Sequence, residues 1–210
     1  REDLWIIGQI ARRLGLEWNY GHARDVFGEM AQVMPSLANI SWKRLEKEGS
    51  VTYPCPAPDK PGQDIVFGDG FPREGGRARL VPVDLIPPDE QPDSEFPLVL
   101  STGRQLEHWH TGAMTRRSDI LDRLEPEAVV SLAPQDMASL GIEPGDRVRV
   151  VTRRGVIELK CRRDDAIPGG MIFVPFCYAE AAANVLTNPA LDPYGKIPEF
   201  KFCAARLERA

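Results

Sequence analysis

Residues Arg147 to Arg163, RVRVVTRRGVIELKCRR, alternate apolar and charged side chains on both sides of Arg154-Gly155. A period of two is the signature of a half-buried strand, so the stretch predicts two strands joined by a tight turn. Pro144-Gly145-Asp146 supplies a type I or II turn just before it. Upstream, Pro134-Gln-Asp-Met-Ala-Ser-Leu-Gly141 reads as one short helix, with proline suited to its first position and glycine to its end. FPLVLST (96–102), AVVSL (128–132) and GGMIFVPFCY (169–178) are continuous apolar runs of the kind that form buried strands. Many short strands with one or two brief helices between them predict a closed β-barrel with excursions.

The first third of the chain has a different rhythm. Leu4, Ile7, Ile10, Ala11 and Leu14 recur at helical spacing, with Asp3 as the expected N-cap and Gly15 as the terminator. A second amphipathic run spans about Ala23 to Met34 and stops at Pro35. A third starts near Ser41 and ends at Gly49. Tyr53 to Pro61, YPCPAPDKP, reads as an extended, proline-locked loop. Asp64 to Leu85 predicts two or three short strands, with Gly75-Gly76 as a hairpin turn. Three short helices make a thin core, so this region reads as one edge of a larger domain. Ile86 to Glu95, IPPDEQPDSE, is the expected boundary.

Composition excludes several classes. The longest apolar run falls short of the roughly 18 residues a membrane-spanning helix needs. A formal charge of −5 argues against general nucleic-acid binding. Cys55, Cys161, Cys177 and Cys203 lie far apart without a C-x-x-C pair, so no zinc or iron-sulfur ligand set is legible, and buried reduced thiols in a cytoplasmic protein are expected. The chain opens at Arg1 without methionine or signal peptide, which suggests a piece of something longer.

On this acidic background, Ser101 to Arg117, STGRQLEHWHTGAMTRR, gathers two of the three histidines, three arginines and four hydroxyl residues. His108-x-His110 could be a metal pair, although no third ligand of the right type is nearby. A general base for Ser101 or Thr111 would need a geometry that this spacing does not declare. A polyanion over the end of a strand is the third reading: Thr102-Gly103 permits close backbone approach, and Arg104, Arg116 and Arg117 offer planar donor forks. Beside it stands the plain alternative of arginines paired to surface carboxylates and histidines packed in place.

Taken with PQDMASLGIEPGDRVRVVTRRG (134–155), FVPFCYAEAAANVLTNPALDPYGKIPEFKFCAARLE (173–208) and VTYPCPAPDKPGQDIVF (51–67), the stretch resembles the C-terminal part of the molybdopterin-dependent oxidoreductases. Within them it is most similar to the catalytic alpha subunit of formate dehydrogenase. The resemblance implies a mixed α/β N-terminal segment, residues 1–90, that ends the catalytic domain. A six-stranded double-psi β-barrel, residues 96–210, then binds the molybdopterin dinucleotide. It implies a bis-molybdopterin guanine dinucleotide carrying molybdenum or tungsten, formate as substrate, and iron-sulfur clusters upstream. Partner subunits carrying flavin and iron-sulfur groups would pass electrons to NAD.

Position by position, the resemblance implies cofactor contacts at Thr102, Gly103, Arg104, Gln105, His108, His110, Thr111, Met114 and Thr115, and later at Phe176, Asn184, Phe200 and Lys201. Phe176 and Phe200 stand where some formate dehydrogenases carry tyrosine, so only packing or backbone contacts are expected there. The family's metal-ligating and catalytic residues would lie upstream, so no residue of this chain is expected to be catalytic or to bind the metal. No Rossmann glycine fingerprint is present, which places NAD elsewhere. Periplasmic nitrate reductase shares the LEHWH and MTRR elements, and a free-standing barrel used as a binding module is the reading from another class.

Overall fold

The computed structural model describes all 210 residues, which divide into two compact units, Arg1–Val83 and Asp84–Ala210.

The first unit is helical. The N-cap position of α1 (Asp3–Arg13) is Glu2, which makes no side-chain capping bond, and Asp3 lies in the first turn; the chain leaves through Gly15 at φ 83°. α2 (Ala23–Val33) has a reciprocal cap: the His22 side chain accepts from the Arg24 amide, and the Asp25 carboxylate accepts from the His22 amide. Pro35 ends α2 by starting a 3-10 turn, Pro35–Leu37. α3 (Trp42–Glu48) is capped by the Ser41 hydroxyl and stopped by Gly49 at φ 79°. Arg44 on α3 donates to the carbonyls of Pro58 and Lys60 and pairs with Glu48, which ties the helix to the proline-rich loop.

The strands expected between Asp64 and Leu85 do not form. Gly75 and Gly76 sit instead in a 3-10 turn, and the segment carries no ladder hydrogen bonds. An isolated two-stranded hairpin is marginal in water, and this one has no third strand or helix face to pack on. Leu80 and Val83 are accordingly 91% and 81% exposed.

The second unit is a closed six-stranded double-psi β-barrel: β1 (Leu98–Gly103), β2 (Val129–Leu132), β3 (Arg147–Val151), β4 (Val156–Arg163), β5 (Met171–Pro175) and β6 (Cys203–Arg209), in the order β1-β5-β2-β4-β3-β6. Two parallel pairs, β1 with β5 and β2 with β4, are joined by antiparallel neighbours. Closure leaves no free edge, so every strand finds ladder partners on both sides. Alternation then decides the core: Leu100, Val130, Leu132, Val148, Val150 and Ile172 are fully enclosed.

Two short helices interrupt the strands, α4 (Asp119–Leu124) and α5 (Pro134–Leu140), and Gly141 closes α5 in the left-handed conformation. The polar stretch Ile86–Glu95 belongs to this unit. Glu90 receives Arg153, both donor arms of Arg154 and the Ala204 amide, which fastens the stretch to the β3–β4 turn and to β6.

Candidate functional site

The parallel register of β1 and β5 brings Gly103 opposite Pro175, so the loops that leave both strands start at the same end of the barrel. The Phe176 amide donates to the Gly103 carbonyl at 3.1 Å and continues that contact past the ladder. A Cβ at Gly103 would stand 2.5 Å from the Phe173 ring, so a larger residue here would have to push that ring aside. The third chain segment arrives just before β6: the buried Thr102 hydroxyl donates to the Phe200 carbonyl at 2.6 Å, and Lys201 Nζ donates to the Thr102 carbonyl at 3.0 Å. Thr102, Gly103, Phe176, Phe200 and Lys201 are therefore one cluster, assembled from residues about a hundred positions apart.

The loop after β1 folds over the start of the loop after β5. His108 is 2% exposed and packs edge-on against Tyr178 at 5.6 Å between ring centroids. Its Nε2 lies 2.9 Å from the Glu125 carbonyl, which can only accept, so Nε2 carries the proton. Nδ1 is then a buried acceptor with no partner inside the chain. The Tyr178 hydroxyl donates to the same Glu125 carbonyl at 3.0 Å, and burial pushes its pKa well above the ordinary phenol value, which keeps it a donor. His110 is exposed and holds φ 50°, and Gly112 holds φ 74° with no room for a Cβ against the Cys177 carbonyl. Thr115 accepts the Trp109 amide through its hydroxyl, while Gln105 donates to Glu107 at 2.8 Å.

The arginines separate into two kinds. Arg116 is consumed within the fold: it pairs with Asp122 and Glu180, donates to the Pro126 carbonyl and lies over the Tyr178 ring at 4.6 Å. It is a structural cross-link, not a fork for an outside anion. Arg104 and Arg117 are exposed and make no side-chain hydrogen bond or ion pair within the chain. Thr111 and Met114 are exposed on the same loop. Asn184 is exposed in the 3-10 turn Ala183–Val185 with a free side-chain amide, and no contact joins it to the Thr102 cluster.

Tyr178 and the Glu125 carbonyl escape a reading of the sequence, because their role depends on the barrel bringing residues 108, 125 and 178 together. Arg116 carried a signal of its structural role in Asp122, six residues on, at the start of an amphipathic turn.

The chemistry of this end is consistent. Free cationic donors at Arg104 and Arg117, an ammonium at Lys201 and an orphaned acceptor at His108 suit a ligand that is anionic in one part and a hydrogen-bonding heterocycle in another. A molybdopterin dinucleotide has both parts, and the residues present fit it.

Comparison with known proteins points the same way. The F420-dependent formate dehydrogenase subunit alpha of Methanocaldococcus jannaschii is 41% identical over 210 residues, covering 99% of this chain and 31% of that protein. The periplasmic nitrate reductase of Desulfovibrio desulfuricans is 34% identical over 224 residues, covering 96% of this chain and 30% of that protein. The chain thus spans about a third of the length of these relatives. Acetylene hydratase from Pelobacter acetylenicus shares the fold, with a TM-score of 0.70 and 21% identity over all of this chain and 33% of that one. The family model described as Molydopterin dinucleotide binding domain matches residues 98–204, which hold the whole Thr102 cluster and the loop that carries His108, and the chain belongs to that family.

Proposed function

We propose that this chain is the dinucleotide-holding part of a formate dehydrogenase alpha subunit. Residues 1–90 would end the catalytic domain, and residues 96–210 would be the cofactor-binding domain. The observation that carries the reading is a set of cations without a carboxylate partner, Arg104 and Arg117 on the loop after β1 and Lys201 at the end of β1, in a barrel of the dinucleotide-binding family whose relative at 41% identity is named as a formate dehydrogenase.

Arg104 and Lys201 would hold the pyrophosphate, above the buried Gly103 where β1 ends. Thr102 fixes the Phe200 carbonyl, which aligns Lys201. Gln105, His108, His110, Thr111, Met114, Thr115, Phe176, Asn184 and Phe200 would surround the remaining arms, with His108 offering Nδ1 as an acceptor. When bound, the molybdenum or tungsten centre of a bis-molybdopterin guanine dinucleotide supplies the two-electron chemistry that turns formate into carbon dioxide and a proton. This chain's part is to bind and orient the cofactor, so that no energy is spent on rearrangement during turnover.

Electrons would leave through iron-sulfur clusters elsewhere in the subunit to partner subunits in the cytoplasm. NAD is the acceptor that the resemblance to NAD-linked enzymes implies. The relatives at 41% and 39% identity are named as F420-dependent, which favours a deazaflavin acceptor over NAD. No helix is long and apolar enough to cross a membrane. Nitrate reduction is the second reading, supported by the relative at 34% identity.

The test uses the full-length subunit. Losing one charge-assisted hydrogen bond corresponds to about 1.5–3 kcal/mol, so Arg104→Ala is expected to lower cofactor affinity at least about tenfold while the protein stays folded. Oxidised-pterin fluorescence per polypeptide reads the outcome, and full retention would refute the assigned role. Assays with formate and F420, formate and NAD, and reduced viologen and nitrate separate the acceptors and the second reading.

A further inference from the structure

Glu199 stands immediately before Phe200 and Lys201, and both of its carboxylate oxygens are engaged. One accepts the Asp89 amide at 3.0 Å and the other accepts the Asn188 side-chain amide at 2.8 Å. Its own amide donates to the Ala190 carbonyl at 3.0 Å, beside the bridge between Leu191 and Pro198. Asn188 is fixed in turn, since its amide donates to Cys203 Sγ, a fully buried atom at the start of β6, and its side-chain oxygen accepts the Ala190 amide. Asp89 adjoins Glu90, which is locked by Arg153, Arg154 and the Ala204 amide. One carboxylate therefore adds a shared tie among three pieces of chain that also touch through Asn188–Cys203, Glu199–Ala190 and Glu90–Ala204: the Ile86–Glu95 strap, the turn at Asn188 and the segment that feeds β6.

That segment reaches the candidate site at once. Phe200 offers its carbonyl to Thr102, and Lys201 offers its ammonium to the carbonyl of the same residue. Residues 199–202 lie outside any strand, so no ladder holds them in register. Their position is set by the Thr102 contacts on one side and, on the other, by the Glu199 carboxylate together with the Glu199 amide bond to Ala190. Both oxygens of Glu199 are already hydrogen-bonded within the chain, and its charge has the same sign as the pyrophosphate it would have to meet.

We propose that Glu199 is a positioning residue for the dinucleotide: its carboxylate clasps the strap to the β6 entry and holds the Lys201 ammonium where a phosphate can use it. The inference rests on the reading that the β1 end of the barrel binds the dinucleotide. Without the clasp, residues 199–202 keep the Thr102 and Ala190 bonds but lose their tie to the strap and to Asn188, so the segment is looser and the ammonium less well preorganised. The deficit falls on cofactor retention, not on the barrel.

Four variants of the full-length subunit test this: Glu199→Ala, Glu199→Gln, Lys201→Ala and Met137→Ala, the last being a core change on α5 that weakens the barrel and leaves every hydrogen bond of the clasp in place. Pterin retained per polypeptide after gel filtration and amide exchange across residues 198–204 are the readouts. Glu199→Ala is expected to lose pterin roughly as far as Lys201→Ala, about tenfold, with faster exchange at 198–202 and unchanged protection in β2 and β4. Glu199→Gln keeps one acceptor for the Asp89 amide and should fall between Glu199→Ala and the wild type, so a folded variant exists even if the alanine change fails to fold. Met137→Ala should keep its pterin despite a lower unfolding midpoint. Wild-type pterin in Glu199→Ala beside loss in Lys201→Ala would overturn the positioning role. So would a loss in Glu199→Ala no greater than in Met137→Ala. Wild-type pterin in Lys201→Ala would remove the binding site, and the clasp with it.

Discussion

The barrel and the helical unit are built from similar proportions of apolar residues, yet only the barrel encloses them. In Asp84–Ala210 the alternating strands close on themselves, and Leu100, Val130, Val148, Val150 and Ile172 reach zero exposure. In Arg1–Val83 the helical stripes are equally regular, but Ile7 and Ile10 of α1 and Leu14 just after it remain 52%, 55% and 74% exposed, and Ala11 alone on that helix is buried. A period specifies which face is apolar. Whether that face finds a partner depends on how many elements share the unit. Six strands in a closed order supply partners for one another, and three helices of eleven, eleven and seven residues do not.

The most direct way to break the contrast is to remove core from the barrel. Leu100 lies on β1 between β5 and β6, fully enclosed. Leu100→Ala should cost about 3–5 kcal/mol, the range for a buried leucine whose cavity cannot collapse. The buried cysteines give a local readout, because Cys161, Cys177 and Cys203 belong to the barrel and none is paired in a disulfide. Pulsed alkylation in a urea series should find all three reactive at a lower urea concentration than in the wild type. An unchanged midpoint would mean that β1 is not part of the cooperative core.

Glu90 gives a smaller effect with a pH signature. Burial raises its pKa, but hydrogen bonds from Arg154, the Ala204 amide and Arg153 outweigh that and hold it near about 2, against an ordinary 4.5. A depressed carboxylate pKa stabilises the fold fully above the ordinary value, and the contribution is lost as pH falls from 4.5 through about 2. Glu90→Gln should cost about 1–2 kcal/mol near neutral pH, a figure discounted for solvent screening. The gap between wild type and variant in urea midpoint should narrow steadily below pH 4.5 and vanish near 2. A gap that stays constant with pH would assign the effect to packing instead of charge.

The same contrast explains what could be read from residues alone. The RVRVV and VIELKC alternation, the turn at Arg154-Gly155 and the Pro134–Gly141 helix are local patterns, and each appears where its period predicts. Asp64–Leu85 has a comparable apolar content and a glycine pair, yet it forms no strand, because a strand needs a neighbour that the pattern itself does not supply. At the candidate site, the resemblance located the loop that carries Arg104 and His108. It did not reveal that Arg116 is spent on Asp122 and Glu180, that His108 leaves one nitrogen unpartnered, or that Glu90 and Glu199 tie a polar strap to the barrel. Apart from the Arg116–Asp122 pair, six residues apart, those facts depend on separations of 17 to 114 residues, which the folded barrel brings within hydrogen-bond reach.

The smallest effect is expected in the helical unit, and it sharpens the comparison most. Leu14 and Val33 carry the apolar pattern of α1 and α2 but are 74% and 71% exposed, so replacing them removes little area that the fold has hidden from water. Leu14→Gln and Val33→Gln should each change stability by no more than about 0.5 kcal/mol in this chain, as surface substitutions do. Cys55 is the reporter here, being buried in the same unit beside Arg44. Its alkylation midpoint should stay where it is in the wild type, while binding of an apolar dye falls as the exposed stripe is made polar. A shift in the Cys55 midpoint as large as the one expected at the barrel thiols for Leu100→Ala would show that these helices enclose a core of their own, and the difference between the two units would be one of degree.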